Sequence, residues 1–141
     1  MQEELKEQNK ALFDEVRSLD LPRGQFALFG STPMGIRGLK ACNDIDMVVS
    51  EELFAELKEG GQWKVKIFEG DGKEYIVKGN CEAFQEWGPG DWNMQELIES
   101  AEIIEGLPFV TLENLLRWKK LNGREKDLRD VITIEQFLEA Q

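Results

Sequence analysis

The sequence predicts an α+β fold, a mixed β-sheet with helices packed on it, and three observations carry that expectation. Apolar residues recur at helical spacing near both ends, through residues 3–18 and 112–138. Between them, short runs at 25–29, 44–49, 63–68, 73–78 and 80–84 have the length and period of strands. No repeat, low-complexity tract or linker interrupts the order, so residues 1–141 read as one domain.

Each element has its own signal. Leu5, Leu12, Val16 and Leu19 alternate with charged residues as an amphipathic helix, which Pro22 and Gly24 end. QFALF, residues 25–29, reads as a buried strand running into Gly30-Ser31. PMGIRGLK, residues 33–40, is expected as a short helix with Pro33 in its first turn, weakened by Gly35 and Gly38. A strand follows at 44–49, then a helix at 51–59 with Ser50 as its N-cap and Gly60-Gly61 as its stop. Residues 63–68 and 73–78 flank Glu69-Gly70-Asp71-Gly72, a hairpin signal, and 80–84 is one more strand. After the turn-rich QEWGPGDW comes a helix at 93–101, then a short hairpin around Gly106. Thr111 caps a helix from 112 to about 121, with Gly123 placed for a left-handed C-terminal residue. In the last helix Leu128, Val131, Ile132 and Leu138 are expected as the buried stripe.

Composition narrows the chemistry. The chain has no histidine, which removes Ser-His-Asp and Cys-His sites, His-ligated zinc and imidazole bases. Acid–base or metal chemistry must rest on carboxylates. Cys42 and Cys81 lack any CxxC spacing and fit two reduced thiols. With no secretory signal and no apolar run of membrane length, the expected location is the cytoplasm. The net charge of −11 argues against an extended nucleic-acid surface or an anionic membrane. That charge is uneven. Residues 21–43 contain no Asp or Glu and carry Arg23, Arg37 and Lys40, and residues 117–129 hold six basic residues against Glu125 and Asp127.

The acid-free segment ends in a pair of carboxylates. Strand alternation sends Asp44 and Asp46 to one face and Ile45, Met47 and Val49 to the other. Two like charges so close need a positive partner, and a hard divalent cation with oxygen ligands is the usual one. Upstream, Gly30-Ser31 lies at a strand-to-helix turn, where glycine lets backbone approach a ligand and the amides can meet an anion.

Gly30-Ser31, twelve intervening residues and Asp44-Ile45-Asp46 resemble the signature of the polymerase-β-like nucleotidyltransferase superfamily. Trp118-Lys119 and the run from Gly123-Arg124-Glu125-Lys126-Asp127 to Asp130 are similar to the C-terminal pattern of its small bacterial members. These include lincosamide and aminoglycoside adenylyltransferases and the nucleotidyltransferase partners in abortive-infection and toxin–antitoxin systems. The resemblance implies the nucleotidyltransferase fold, with three carboxylates around two Mg²⁺ ions. Asp44 and Asp46 match directly. Glu82, in the strand after the hairpin, is chosen as the third, with Glu74 as the fallback; family members often carry Asp there. All three would be catalytic metal ligands, and Glu82 could also serve as base.

An NTP, expected as ATP, would lie against Gly30 and Ser31, with Arg37, Lys40, Lys119, Arg124 and Lys126 as cations for its phosphates. Trp118 is the tryptophan to test for the base; Trp63, Trp87 and Trp92 read as packing residues. The acceptor would be a hydroxyl or amine on a small molecule or a protein, and the open partners are a second copy of the chain or a toxin-type protein. The alternative is an inactive nucleotide-binding or protein-interaction module on the same fold.

Overall fold

Phe26–Phe29 (β1) is apolar and buried at every position, as a strand must be when helices cover both faces of its sheet. The computed structural model describes residues 1–141. Around β1 stand β2 (Ile45–Val49), β3 (Lys64–Ile67), β4 (Glu74–Lys78), β5 (Cys81–Phe84), β6 (Glu102–Ile104) and β7 (Leu107–Phe109). They form one mixed seven-stranded sheet in the order β3-β4-β5-β2-β1-β7-β6. The helices are α1 (Gln2–Ser18), α2 (Thr32–Gly35), α3 (Glu51–Glu59), α4 (Met94–Glu99) and the terminal pair α5 (Leu112–Asn122) and α6 (Glu125–Glu139). The α+β class is therefore as the pattern predicts. No helix is long and apolar enough to cross a membrane.

Strand alternation sorts the side chains into two cores. Leu28, Ile45, Met47 and Val49 meet Phe13 and Val16 of α1 and Leu53 and Phe54 of α3. On the opposite face Ala27, Phe29 and Val48 meet Leu97 of α4, Leu115 of α5 and Ile134 of α6. The caps are as the sequence indicates. Ser50 accepts from the Leu53 amide and Thr111 from the Asn114 amide, and Gly123 ends α5 in the left-handed region at φ 66°.

Two expectations are corrected. The helix expected over residues 33–40 stops at Gly35, because the chain turns through Gly38 at φ +73°. The last helix is rotated relative to its apolar pattern: Val131 is buried as expected, but Leu128, Ile132 and Leu138 are 49%, 56% and 40% exposed, and Asp127 and Ile134 are buried instead. Electrostatics decides the rotation. Asp127 and Asp130 must face α5 to meet Lys119, whose Nζ lies 3.6 and 2.9 Å from them.

The acid-free loop after α2 is held by a residue that amphipathic spacing does not single out. Asn9, fully buried on α1, donates to the carbonyls of Gly35 (3.1 Å) and Lys40 (2.9 Å) and accepts from the Cys42 amide (2.8 Å). A methyl group at Gly35 would overlap Cys42 Sγ and press to 3.2 Å on Asn9 Nδ2, so the loop can close only around glycine. Replacing Asn9 with Leu strands buried donors and acceptors, at a cost of about 3 kcal/mol. Urea unfolding of Asn9→Leu should show that loss, and an unchanged midpoint would remove the clamp from the account of the fold.

Candidate metal centre

Parallel pairing of β2 with β5 sets Asp46 directly opposite Glu82. Asp44 precedes Asp46 by two residues, so it shares that face of the sheet. One carboxylate oxygen from each of Asp44, Asp46 and Glu82 lies within 4.8 Å of the others. Glu74 is elsewhere: it stands on β4 opposite Ile67 and pairs with Lys58 at 2.6 Å. Three carboxylates form an all-oxygen donor set, which suits a hard divalent cation such as Mg²⁺.

The electrostatics match that need for positive charge. Burial first, then the charges of Asp44 and Glu82, push the Asp46 carboxyl up to about 7. Burial and Asp44 also raise Glu82, while Lys66 pulls it back.

Gly30 brings the upstream turn against this cluster. Phe29 pairs with Asp46 across β1 and β2, and the next residue adopts φ +62°. A Cβ on Gly30 would stand 2.7 Å from Asp46 Oδ2, so only glycine admits this approach. Ser31 follows as the half-buried N-cap of α2, and its carbonyl accepts the Cys42 thiol at 3.6 Å. Burial raises the thiols of Cys42 and Cys81, the latter to about 12, which keeps both protonated.

The expected phosphate cations are distributed differently. Lys119 is 4% exposed and engaged with Asp127 and Asp130, and Lys40 reaches Asp130 at 2.6 Å. Burial would raise both aspartates, but Arg124 at Asp127 and the two lysines at Asp130 hold them below the usual carboxylate range. Arg124 grips Asp127 through Nε at 2.7 Å while its side chain stays half exposed. Arg37 donates to the Pro33 carbonyl (2.7 Å) and to Glu102 (3.2 Å). Lys126 is exposed. The two basic islands thus join one another through Lys40, Asp130 and Lys119, tying the loop after α2 to the terminal helix pair.

Sequence reasoning passed over two cations on the carboxylate face. Lys64 pairs with Val77, and Val77 with Glu82, so Lys64 lies in the same cross-strand row as Glu82 and Asp46. Lys66 lies two residues on, close enough to influence Glu82. The alternation Lys64-Val65-Lys66-Ile67 carried the signal, but only the long-range register shows which face it serves.

Along β5 the same face continues from Glu82 to Phe84 and opens into a cleft of about 790 Å³. Its lining includes Tyr75, Phe84, Trp87, Trp118 and Arg124. Tyr75 stacks on Phe84 (5.1 Å between centroids), and Trp87 stacks on Phe29 at 4.6 Å. No protein-family model, curated protein or solved structure matches the chain.

Two tests follow from this geometry. Lys119→Met leaves Asp127 and Asp130 buried without their shared partner and should destabilise the protein by about 3 to 5 kcal/mol in urea unfolding; a loss under 1 kcal/mol would mean that the cluster does not fix the helix pair. For Asp46, the unfolded chain ionises near pH 4 and the folded chain near pH 7, so its contribution to stability falls as pH rises through that window. Without divalent ions, Asp46→Asn should therefore gain thermal stability relative to wild type between pH 5 and 8. Mg²⁺ should raise the melting temperature of wild type more at pH 8 than at pH 6. A difference between variant and wild type that stays flat across this range would contradict the crowding described.

Proposed function

We propose that the protein is a Mg²⁺-dependent nucleotidyltransferase that moves a nucleoside monophosphate from an NTP, expected as ATP, to a hydroxyl or amine of a small molecule or protein. The observation that carries the reading is the triad of Asp44, Asp46 and Glu82, its oxygens within 4.8 Å, with the Gly30-Ser31 turn against Asp46. Carboxylates on adjacent strands beside such a turn are what the resemblance to polymerase-β-like nucleotidyltransferases implies, together with their fold. Two bound Mg²⁺ ions would supply activation of the acceptor oxygen and charge neutralisation at the leaving pyrophosphate.

The chain's own residues have separate tasks in this reading. Asp44 and Asp46 would hold the metal ions, and Gly30 lets the turn before Ser31 close against Asp46, which brings the backbone of that turn beside them. The acceptor oxygen forms a bond to the α-phosphorus as the bond to the β-phosphate oxygen breaks. Glu82, whose carboxyl is raised, takes the acceptor proton and later returns it to water. Lys64 and Lys66, exposed on the same face, offset the negative charge of the triphosphate. The buried cluster around Asp130 holds the Gly30-side loop in place rather than binding phosphate through Lys119.

A specific observation also supports a second reading. Lys40, Lys119 and Arg37 are engaged in ion pairs within the chain, which fits a module that binds nucleotide without turnover. Pyrophosphate release separates the two. With each of the four NTPs, Mg²⁺ and a panel of hydroxyl and amine acceptors, wild type should release pyrophosphate, and Asp46→Asn should lower the rate about a thousandfold. Equal rates for wild type and variant would exclude catalysis at the triad; nucleotide binding without release would favour the module.

A further inference from the structure

We infer that Glu15, on α1 and across the sheet from the triad, is a positioning residue of the metal centre: it clamps the turn between β4 and β5 and, through the Asn80 carbonyl, sets Glu82 against Asp44 and Asp46. This role rests on the metal-binding reading of the triad given above, and it names the residue outside the triad that holds the geometry.

All three hydrogen bonds to the Glu15 carboxylate come from the start of β5. Oε2 accepts the Asn80 amide at 2.8 Å, and Oε1 accepts Asn80 Nδ2 at 2.8 Å. The Cys81 thiol donates to Oε2 at 3.8 Å. These donors belong to the two residues that precede Glu82 in the chain. The Asn80 carbonyl in turn accepts the Ile45 amide at 2.9 Å, and Ile45 stands between Asp44 and Asp46. Asn80 therefore joins α1 to the strand that carries two members of the triad, while the third follows it by two residues.

The bond from Ile45 to Asn80 lies at the end of the parallel ladder, where Ile45 pairs with Cys81. Register there decides the chemistry of the face, because a slip of one residue would send Glu82 to the side away from Asp46. α1 packs on the face of Ile45 and Met47, so Glu15 acts on the carboxylates through the backbone and touches none of them.

The turn is shaped to the carboxylate. Gly79 adopts φ +58°, and a Cβ there would stand 2.5 Å from Glu15 Oε2, so only glycine lets the turn close on it. Burial would raise the Glu15 carboxyl, but the donors of Asn80 and Cys81 hold it below the usual carboxylate range. Its bonds are thus charge-assisted, the stronger kind. Anchorage of the helix does not require them: Phe13 and Val16, 3% and 2% exposed, already bury α1 against the sheet.

Mn²⁺ is the probe, since carboxylates bind it as they bind Mg²⁺ and paramagnetic resonance counts it directly. Glu15→Ala should weaken Mn²⁺ binding about tenfold or more, the usual effect of removing a residue that orients a metal ligand. Hydrogen exchange of the Ile45 amide should quicken about tenfold in the same variant, while the amides of β1 exchange as in wild type. Glu15→Gln loses the same charge but keeps the clamp: its Oε1 accepts the Asn80 amide, and its Nε2 donates to Asn80 Oδ1 once that carboxamide turns over. It should bind Mn²⁺ within about threefold of wild type.

Alanine is at least as good a helix former as glutamate, and circular dichroism melts identify a variant that fails to fold. Asn80→Ala, at an exposed position, then decides, with an expected weakening of about threefold from loss of the Nδ2 bond. Unchanged Mn²⁺ affinity in Glu15→Ala would overturn the inference. So would an equal loss in Glu15→Gln and Glu15→Ala, which would make the effect one of charge, or weaker binding with Ile45 exchange unchanged. In each of these cases, wild-type Mn²⁺ binding that Asp46→Asn abolishes leaves the metal centre standing. Absence of Mn²⁺ binding in wild type, or binding that Asp46→Asn does not weaken, would overturn both.

Discussion

Three carboxylates are forced together where burial already disfavours the charge of Asp46 and Glu82, and much of the surrounding structure serves to keep them there. Asp46 is the point of greatest tension: it faces Glu82 across two parallel strands and has Asp44 beside it. Left alone, such a group retains its proton to about pH 7, and relief comes either from that proton or from a cation. The sheet does not permit the third route, moving apart. Ile45, Met47 and Val49 anchor β2 in one core and Val48 anchors it in the other, so the carboxylates are fixed by apolar burial on both faces of the strand that carries two of them.

A second electrostatic arrangement balances the first at a distance. Lys40, Asp130, Lys119 and Asp127 form a nearly buried cluster of alternating sign, joining the loop after α2 to α5 and α6. Such clusters hold geometry more than they add net stability, since desolvation offsets much of the attraction. Its consequence is visible in α6, which turns Leu128 and Ile132 to solvent so that Asp127 can face Lys119. Asn9 does the same work by hydrogen bonds from the other side, satisfying two carbonyls and one amide of the loop. Between these clamps the backbone from Ser31 to Asp44 has little freedom to relax away from the carboxylates.

One face of the sheet grades from charged to aromatic along β5. Carboxylates, Lys64 and Lys66 occupy one part. Aromatic rings and carboxamides occupy the next, two residues further along β5. This gradation from charged to aromatic along a single strand face suits a ligand with a phosphate end and a planar end.

Local pattern was enough for much of this. The sequence by itself determined the strand and helix order, the caps at Ser50 and Thr111, the left-handed Gly123, and the projection of Asp44 and Asp46 from one strand face, because each depends on neighbours within a few residues. The choice of Glu82 over Glu74 as the third member of the cluster depends on which strand pairs with β2, a contact between residues far apart in the chain. The same holds for the faces of Lys64 and Lys66, the engagement of Lys40 and Lys119 by Asp130, and the rotation of α6. Those were settled only by the tertiary structure, since strand register and buried ion pairing are properties of the assembled sheet and helices rather than of any segment within them.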